Sequence, residues 1–219
     1  MKQRISLKEA TRAMYVDFEG VMDAAPVLLG AFWVDDAQDE HFVQYVFDQT
    51  LESAARAKSI DDDGACVYVG SLHEALAELC ETAEQEDRLL VEWSVREEDA
   101  VREAHVDGRL QRCFSERVRN ALPIARRWKN RLHPGFVFPR DKRGKSNTLR
   151  NFMSFTGMPV PSYLAPAASR IREVTRQIEK RGSYDAITPV AKAKWTKLLN
   201  HNEWDCRGTR HVLIAACDI

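Results

Sequence analysis

The chain has 219 residues, of which 44% are hydrophobic and 30% are charged, and its formal net charge is −1. This composition excludes a fully disordered chain, a collagen and a coiled-coil rod, and no apolar run approaches the ~20 residues of a membrane span. The length fits one domain, and we expect a single domain over residues 1–219 with a flexible tail at 1–12.

The five cysteines have no CxxC spacing. This pattern predicts reduced thiols rather than a disulfide framework or a zinc site. The first 13 residues are charged and lack the apolar segment of a secretory signal. We therefore expect a cytoplasmic protein.

The small net charge conceals an asymmetry between the two halves of the chain. Residues 1–100 contain 8 Lys and Arg against 23 Asp and Glu, whereas residues 101–219 contain 24 against 10. The densest basic stretch, 109–150, has 13 basic residues and 2 acidic ones. An acidic half can gather divalent cations and a basic half can neutralise phosphates. The alternative is two solvated faces that happen to differ in sign.

The first hundred residues are predicted to be rich in strands. Three apolar segments with short connections indicate an antiparallel meander, and Ser71 with Glu74 forms a capping box that opens a helix. In chain order, the predicted elements are strands at 14–18, 26–34 and 42–47, an irregular or short helical connection at 49–63 that ends in three aspartates, either a short strand or the approach to the next helix at 66–69, a helix from the Ser71 cap through Glu86, and a buried strand at 88–93.

The rest of the chain is predicted to be mainly helical. In chain order, the predicted elements are helices at 94–105 and 110–132, a strand at 136–138, a mobile loop at 140–145, a short helix at 147–156, a proline-rich loop at 158–166, and helices at 167–181 and from 188 or 189 through 216. Strands precede the alternating part, which predicts an α/β fold with a mixed central sheet, three antiparallel strands followed by parallel ones, flanked by helices.

The first candidate site is the segment Tyr15–Gly20, which contains Asp17 and Glu19. Side chains two apart on a strand point to the same face. Two adjacent carboxylates repel each other unless a cation lies between them, and such oxygen-rich pairs suit Mg²⁺ or Mn²⁺. The alternative is that both carboxylates line the wet face of an edge strand.

The second candidate site is the junction between the strand at 88–93 and the helix that follows it. Three acids, Glu97, Glu98 and Asp99, stand in the first turn of that helix. Ligands of α/β sheets bind at such junctions. The alternative is a purely structural role, since Ser94 and Glu97 have capping-box spacing and acids in a first turn favour the helix dipole.

The third candidate site is on the last predicted helix. His201 and Asp205 are four residues apart and therefore share a face. A histidine one turn before a carboxylate can hold or deprotonate a water beside a metal. The alternatives are a surface ion pair and a core histidine with satisfied hydrogen bonds.

Taken in order, these patterns resemble the motifs of the ribonuclease H-like DEDD superfamily of metal-dependent 3′–5′ exonucleases. Its first motif is an apolar strand ending in D-x-E, which Tyr15–Glu19 matches. Its second is an acid that opens a helix with an apolar residue four positions later, and Glu97 with Val101 fits that spacing. Its third is Y-x-x-x-D, for which this chain has His201–Asp205 with histidine at the tyrosine position. The resemblance is closest to the predicted-nuclease branch with Glu in the second motif.

The resemblance implies a ribonuclease H-like fold and hydrolysis of phosphodiester bonds with two Mg²⁺ or Mn²⁺ ions. By this resemblance, Asp17 would bridge both ions, while Glu19 and Asp205 would bind the ion that activates water. Glu97 would support the second ion, and His201 would orient or deprotonate the attacking water. The expected substrate is DNA or RNA, with a preference for single strands and for 3′–5′ exonucleolytic attack.

The basic C-terminal half is the expected nucleic-acid surface. The segment 109–150 is expected to follow the phosphate backbone, and Trp128 within it is expected to pack between helices rather than to stack on a base. Further basic residues assigned to this surface are Arg170, Arg172, Arg176, Lys180 and Arg181. Two other functions stay open: a non-catalytic ribonuclease H-like module that binds nucleic acid or protein, and a structural protein that self-associates through its oppositely charged halves.

Overall fold

A computed structural model describes residues 4–21, 25–59, 66–104, 106–141, 144–161 and 167–218. Several positions singled out in the sequence lie outside these ranges. They are the three aspartates at 61–63, His105 at the predicted helix end, and parts of the two predicted loops, 142–143 and 162–166.

A mixed sheet forms the centre of the fold. In the described part of the chain it has six strands in the order β4-β3-β2-β1-β5-β6. The first three form the expected antiparallel meander, whereas β4 pairs with β3, β5 with β1, and β6 with β5 in parallel. The α/β class and the mixed sheet are therefore confirmed. The strands are β1 (Met14–Gly20), β2 (Pro26–Val34), β3 (Glu40–Val46), β4 (Cys66–Val69), β5 (Leu90–Glu92) and β6 (Val118–Asn120).

Helices cover both faces of this sheet. Alternation along β1 sends Tyr15 toward the layer formed by α1, α6, α7 and α9, and it sends Met14 and Val16 toward the layer that includes α3 and α5. A third apolar cluster joins α2, α8 and the first half of α9. The helices are α1 (Leu7–Arg12), α2 (Glu52–Arg56, after a 3₁₀ turn at Gln49–Leu51), α3 (Leu72–Gln85), α4 (Arg96–Glu103), α5 (Gly108–Arg117), α6 (Ala121–Leu132), α7 (Leu149–Phe155), α8 (Ala167–Arg181) and α9 (Pro189–Cys217).

The starts of α3 and α9 follow the capping signals. At α3 the Ser71 Oγ accepts a hydrogen bond from the Glu74 amide at 3.1 Å, and the Ser71 amide donates to the Glu74 carboxylate at 2.7 Å. At α9 the Thr188 hydroxyl accepts from the amide of Ala191, and Pro189 occupies the first turn. These side chains satisfy amide groups that have no partner inside the helix.

The described part of the N-terminal segment, residues 4–12, is not a flexible tail, contrary to the prediction for residues 1–12. Residues 7–12 form α1, whose N-cap Ser6 makes a capping box with Glu9. Ala10 is fully buried, and the Tyr15 hydroxyl donates a hydrogen bond of 2.6 Å to its carbonyl oxygen. One buried alanine and one buried hydrogen bond therefore fix this helix against the sheet.

The predicted single helix at 110–132 is wrong, because three residues in its middle are extended. Val118–Asn120 forms β6, which pairs in parallel with β5 through Leu90 and Val118. The Asn120 side chain then accepts a hydrogen bond from the Leu122 amide and starts α6. Pro123 fits this location, since the first turn of a helix needs no amide donor. Pairing with β5 therefore overrides the helical pattern of the flanking residues.

The predicted strand at 136–138 is also wrong. The segment is an irregular loop that follows Gly135, whose φ of +88° favours glycine. The Lys129 ammonium donates to the Phe136 carbonyl at 2.6 Å, and the Phe138 ring lies edge-on to Phe152 of α7 with centroids 4.7 Å apart. The apolar pattern of this segment reflects packing against a helix rather than pairing in the sheet.

Candidate metal-binding site

The first two candidate residues lie on the face of β1 that α9 covers. Asp17 and Glu19 have the same parity as Tyr15, which belongs to the α9 layer. The Asn202 amide group of α9 contacts Asp17, and the His201 ring contacts Glu19. The prediction that both carboxylates share a face is therefore confirmed, and that face is covered rather than wet.

The strand and the helix bring three candidate side chains together. The Nε2 atom of His201 lies 3.2 Å from Oε1 of Glu19 and 3.4 Å from Oδ2 of Asp205. One donor atom from each residue falls within 4.8 Å of the other two. This group, here called the β1–α9 cluster, offers two carboxylate oxygens and one imidazole nitrogen, and it could hold a metal ion.

Burial controls the protonation of this cluster. Burial raises the pKa of Asp205 well above its usual range, and the nearby charge of Asp17 raises it further. Burial also lowers the pKa of His201 to about 4, with a second contribution from the positive charge of Arg170. Without a cation, the cluster therefore favours a protonated Asp205 and a neutral imidazole.

His201 is neither a surface residue nor a core histidine with satisfied hydrogen bonds. Its side chain is 15% exposed, and its Nε2 faces the two carboxylates. The other ring nitrogen, Nδ1, is buried and makes no hydrogen bond to the described residues. The ring is thus aimed into the cluster by helix packing rather than by a hydrogen bond on its far side.

The second candidate motif lies on α4, which contacts the same strand as this cluster. α4 packs against β1, and Glu97 in its first turn is buried. Its carboxylate is not among the donor atoms that cluster within 4.8 Å in the described residues. Glu98 is half-buried, and Asp99 forms an ion pair with Arg102. The structure therefore places Glu97 in a different environment from the other two acids, without bringing it into the β1–α9 cluster.

The predicted capping role of Ser94 is wrong. The helix begins two residues later than predicted, with Val95 at the N-cap position and no capping side chain. The Ser94 hydroxyl instead contacts the Glu97 carboxylate at 3.4 Å. The capping explanation for Ser94 and Glu97 therefore fails, because the N-cap position of α4 is Val95 rather than Ser94.

Sequence reasoning missed Glu92, the last residue of β5. This side chain is 1% exposed, and its carboxylate accepts a hydrogen bond of 3.1 Å from the Glu98 amide. Burial, together with the charges of Glu98 and Asp99, raises its pKa to about 8. Alternation from Val91 directs Glu92 to the sheet face opposite Asp17. An acid inside an otherwise apolar strand was the sequence signal for it.

The basic half divides into buried and exposed residues. Arg170, predicted to contact phosphates, is instead buried and donates a hydrogen bond to the Lys197 carbonyl. Trp128 is also buried and packs edge-on against Phe155, which confirms the packing interpretation. The outer face of α6 is different, since Arg126, Arg127 and Arg131 are exposed along it.

Two further expectations concern the whole chain. All five cysteines are free thiols, as their spacing predicted. Among the described helices, none combines the length and apolar character that crossing a membrane requires.

A scan of protein-family models and searches of curated proteins and of solved structures find no match to this chain.

Proposed function

We propose that this protein is a metal-dependent nuclease that hydrolyses phosphodiester bonds of DNA or RNA. The observation that carries the proposal is the β1–α9 cluster, in which Glu19 from the start of the chain meets His201 and Asp205 from its end. Three titratable side chains from remote segments lie at one half-buried place, where isolated charges are costly to keep. A bound cation would compensate that cost.

The donor set fits the metals that the resemblance implies. Carboxylate oxygens are the usual protein ligands of Mg²⁺ and Mn²⁺, and an imidazole nitrogen suits the transition metal better. The raised pKa of Asp205 supports the same conclusion, because it reflects a carboxyl that is buried and lies near the negative charge of Asp17, and a bound cation would offset both effects. When bound, such ions lower the pKa of a coordinated water and neutralise charge on the leaving oxygen.

Each candidate residue would have its own role in holding the metal ions or the attacking water. Glu19 and Asp205 would hold the first ion, and Asp17 would share it with a second ion that Glu97 supports. A pKa of about 4 keeps His201 neutral at pH 7 but makes it a weak base. We therefore assign His201 to orienting the attacking water through Nε2.

Two features away from the cluster support a nucleic-acid substrate. The sheet, with three antiparallel strands followed by parallel ones, agrees with the ribonuclease H-like arrangement that the sequence motifs imply. The exposed arginines of α6 supply positive charge for a phosphate backbone. The single-strand preference and the 3′–5′ direction rest on the resemblance alone. The assay must therefore distinguish single strands from duplexes and cleavage at the 3′ end from cleavage elsewhere.

The test is cleavage of end-labelled oligonucleotides in the presence of Mn²⁺. We expect the parent protein to shorten a single strand from its 3′ end and Asp17→Ala to leave it intact, because the substitution removes a carboxylate that would hold the proposed ions. Asp36→Ala is the matched control, since Asp36 is an exposed acid on the β2–β3 turn. Equal cleavage by the parent and by Asp17→Ala would refute the proposal. Running DNA and RNA, single-stranded and duplex, in parallel would identify the substrate.

A non-catalytic module is the second candidate function. The observation that favours it is His201, which stands at a tyrosine position of the motif and is a weak base. This alternative predicts oligonucleotide binding that weakens steeply with salt but no Mn²⁺-dependent product. The same oligonucleotides in a binding titration therefore separate the two candidates.

A further inference from the structure

A row of three residues crosses the sheet directly beneath the cluster. Strand pairing places Gln44 of β3 opposite Gly30 of β2, and Gly30 opposite Asp17 of β1. Neighbouring strands are about 4.8 Å apart, so the backbones at the two ends of this row are about 10 Å from each other. The glycine in the middle leaves a gap between two polar side chains on one face.

Asn202 of α9 fills this gap. Its side chain is fully buried, and a Cβ atom placed on Gly30 would come within 2.1 Å of its Oδ1. Gly30 lies in a regular strand and has no positive φ. The absent side chain, rather than backbone freedom, is therefore what this position requires.

The hydrogen bonds of Asn202 connect the two ends of the row. Its Nδ2 donates to the carbonyl oxygen of Asp17 at 2.8 Å and to the Oδ2 of the same residue at 2.9 Å. Its Oδ1 accepts from the Gln44 Nε2 at 2.8 Å, and Gln44 also donates to the Leu199 carbonyl at 3.0 Å. Turning the Asn202 amide over would set oxygen against oxygen at Asp17 and nitrogen against nitrogen at Gln44. The partners thus fix the orientation of the amide.

We propose that Gln44 and Asn202 are positioning residues that hold the Asp17 carboxylate in place for metal binding. This inference rests on the proposed metal site. Asn202 follows His201 in the chain and precedes Asp205 by three residues, so the same hydrogen bonds set the position of α9 along β1. The row therefore aligns the carboxylate of the strand with the side chains of the helix. Ligands oriented in this way bind metal more tightly than mobile ones.

The experiment measures the affinity of the full-length protein for Mn²⁺ by titration, with calorimetry or electron paramagnetic resonance as the readout. Asn202→Ala should weaken Mn²⁺ binding about 10- to 100-fold, the range typical of residues that orient metal ligands. Gln44→Met should weaken it less, because Asn202 keeps its acceptors on Asp17. The matched control is Tyr15→Phe, which removes a buried hydrogen bond on the same strand outside the row. It should lower the melting temperature without changing Mn²⁺ affinity.

A double variant tests whether the two residues act as one unit. If Gln44 works through Asn202, then Gln44→Met combined with Asn202→Ala should bind Mn²⁺ as weakly as Asn202→Ala alone. Additive losses would refute the relay. Unchanged affinity in both single variants would refute the positioning role while leaving the metal site intact. If the parent protein itself binds no Mn²⁺, the proposed function and this inference both fail. If Asn202→Ala does not fold, Gln44→Met is compared with Tyr15→Phe instead. Weaker Mn²⁺ binding in Gln44→Met alone supports the positioning role, and equal binding in the two variants refutes it.

Discussion

Glu92, the buried acid at the end of β5, allows the free-energy cost of ionising a buried carboxyl to be measured. We expect the variant Glu92→Gln to be more stable than the parent at neutral and alkaline pH, with the difference growing as pH rises. A glutamine has nearly the same shape, and its Oε1 can still accept the hydrogen bond from the Glu98 amide. The substitution therefore removes the charge and little else.

The magnitude follows from the pKa of Glu92, which is about 8 in the folded protein against a reference value of 4.5. Between these two values the folded state binds more protons than the unfolded state, so the stability of the parent falls as pH increases through that window. Each pKa unit corresponds to about 1.4 kcal/mol. Ionising Glu92 thus costs about 3 kcal/mol at pH 7 and approaches about 5 kcal/mol at pH 9, whereas at pH 4 it costs almost nothing.

The assay is urea unfolding of the parent and of Glu92→Gln at several pH values from about 4 to about 9. The free energies of unfolding should diverge above about pH 5, with the variant always the more stable. Glu103→Gln is the control, because this acid is exposed at the end of α4, the helix that follows β5, and remains in water. A difference between variant and parent that does not change with pH would show that Glu92 is not held protonated, and the reasoning would be refuted.

Three further predictions address other parts of the structure. Arg88 is buried and donates to two backbone carbonyls, so Arg88→Met should lower the free energy of unfolding by about 2–4 kcal/mol in urea titrations; a loss below about 1 kcal/mol would contradict this. In Gly208→Ala the new Cβ would approach the Met153 sulfur to 2.6 Å, so we expect a loss of about 1–3 kcal/mol that Met153→Ala partly reverses. Because Asp205 has a raised pKa and must lose a proton to bind a cation, Mn²⁺ affinity should increase as the pH rises above the usual range of a carboxyl, and an affinity that does not change with pH in calorimetric titrations would count against its role.

Local patterns were enough to predict most of the elements. The strand Pro26–Val34 and the helix Ala167–Arg181 have the bounds expected from apolar periodicity alone. The three-residue strand β6 was missed because its conformation depends on β5, a partner 28 positions earlier in the Leu90–Val118 pairing. Short strands of this kind are determined by the sheet that they join rather than by their own residues.

The candidate site likewise has local features that the sequence predicts and long-range contacts that it does not. Alternation and helical spacing were enough to place Asp17 with Glu19 and His201 with Asp205, because each pair is local in the chain. The contact of Asn202 with the strand could not be predicted, since it needs the register of three strands and the gap at Gly30 at once. Glu92 was overlooked for a related reason, because its raised pKa depends on its burial in the folded protein and on the charges of Glu98 and Asp99 in the next helix.

The length of α9 has a consequence for how this architecture can diversify. The helix has 29 residues and spans about 43 Å, roughly twice the seven-residue strand that it crosses. Its first half extends past the cluster and packs with α8 into a hairpin-like pair. In the proposed nuclease, lengthening or shortening that pair would change the surface beside the β1–α9 cluster while His201 and Asp205 keep their position against the sheet. Substrate selection could therefore change in evolution without a change in the residues of the β1–α9 cluster.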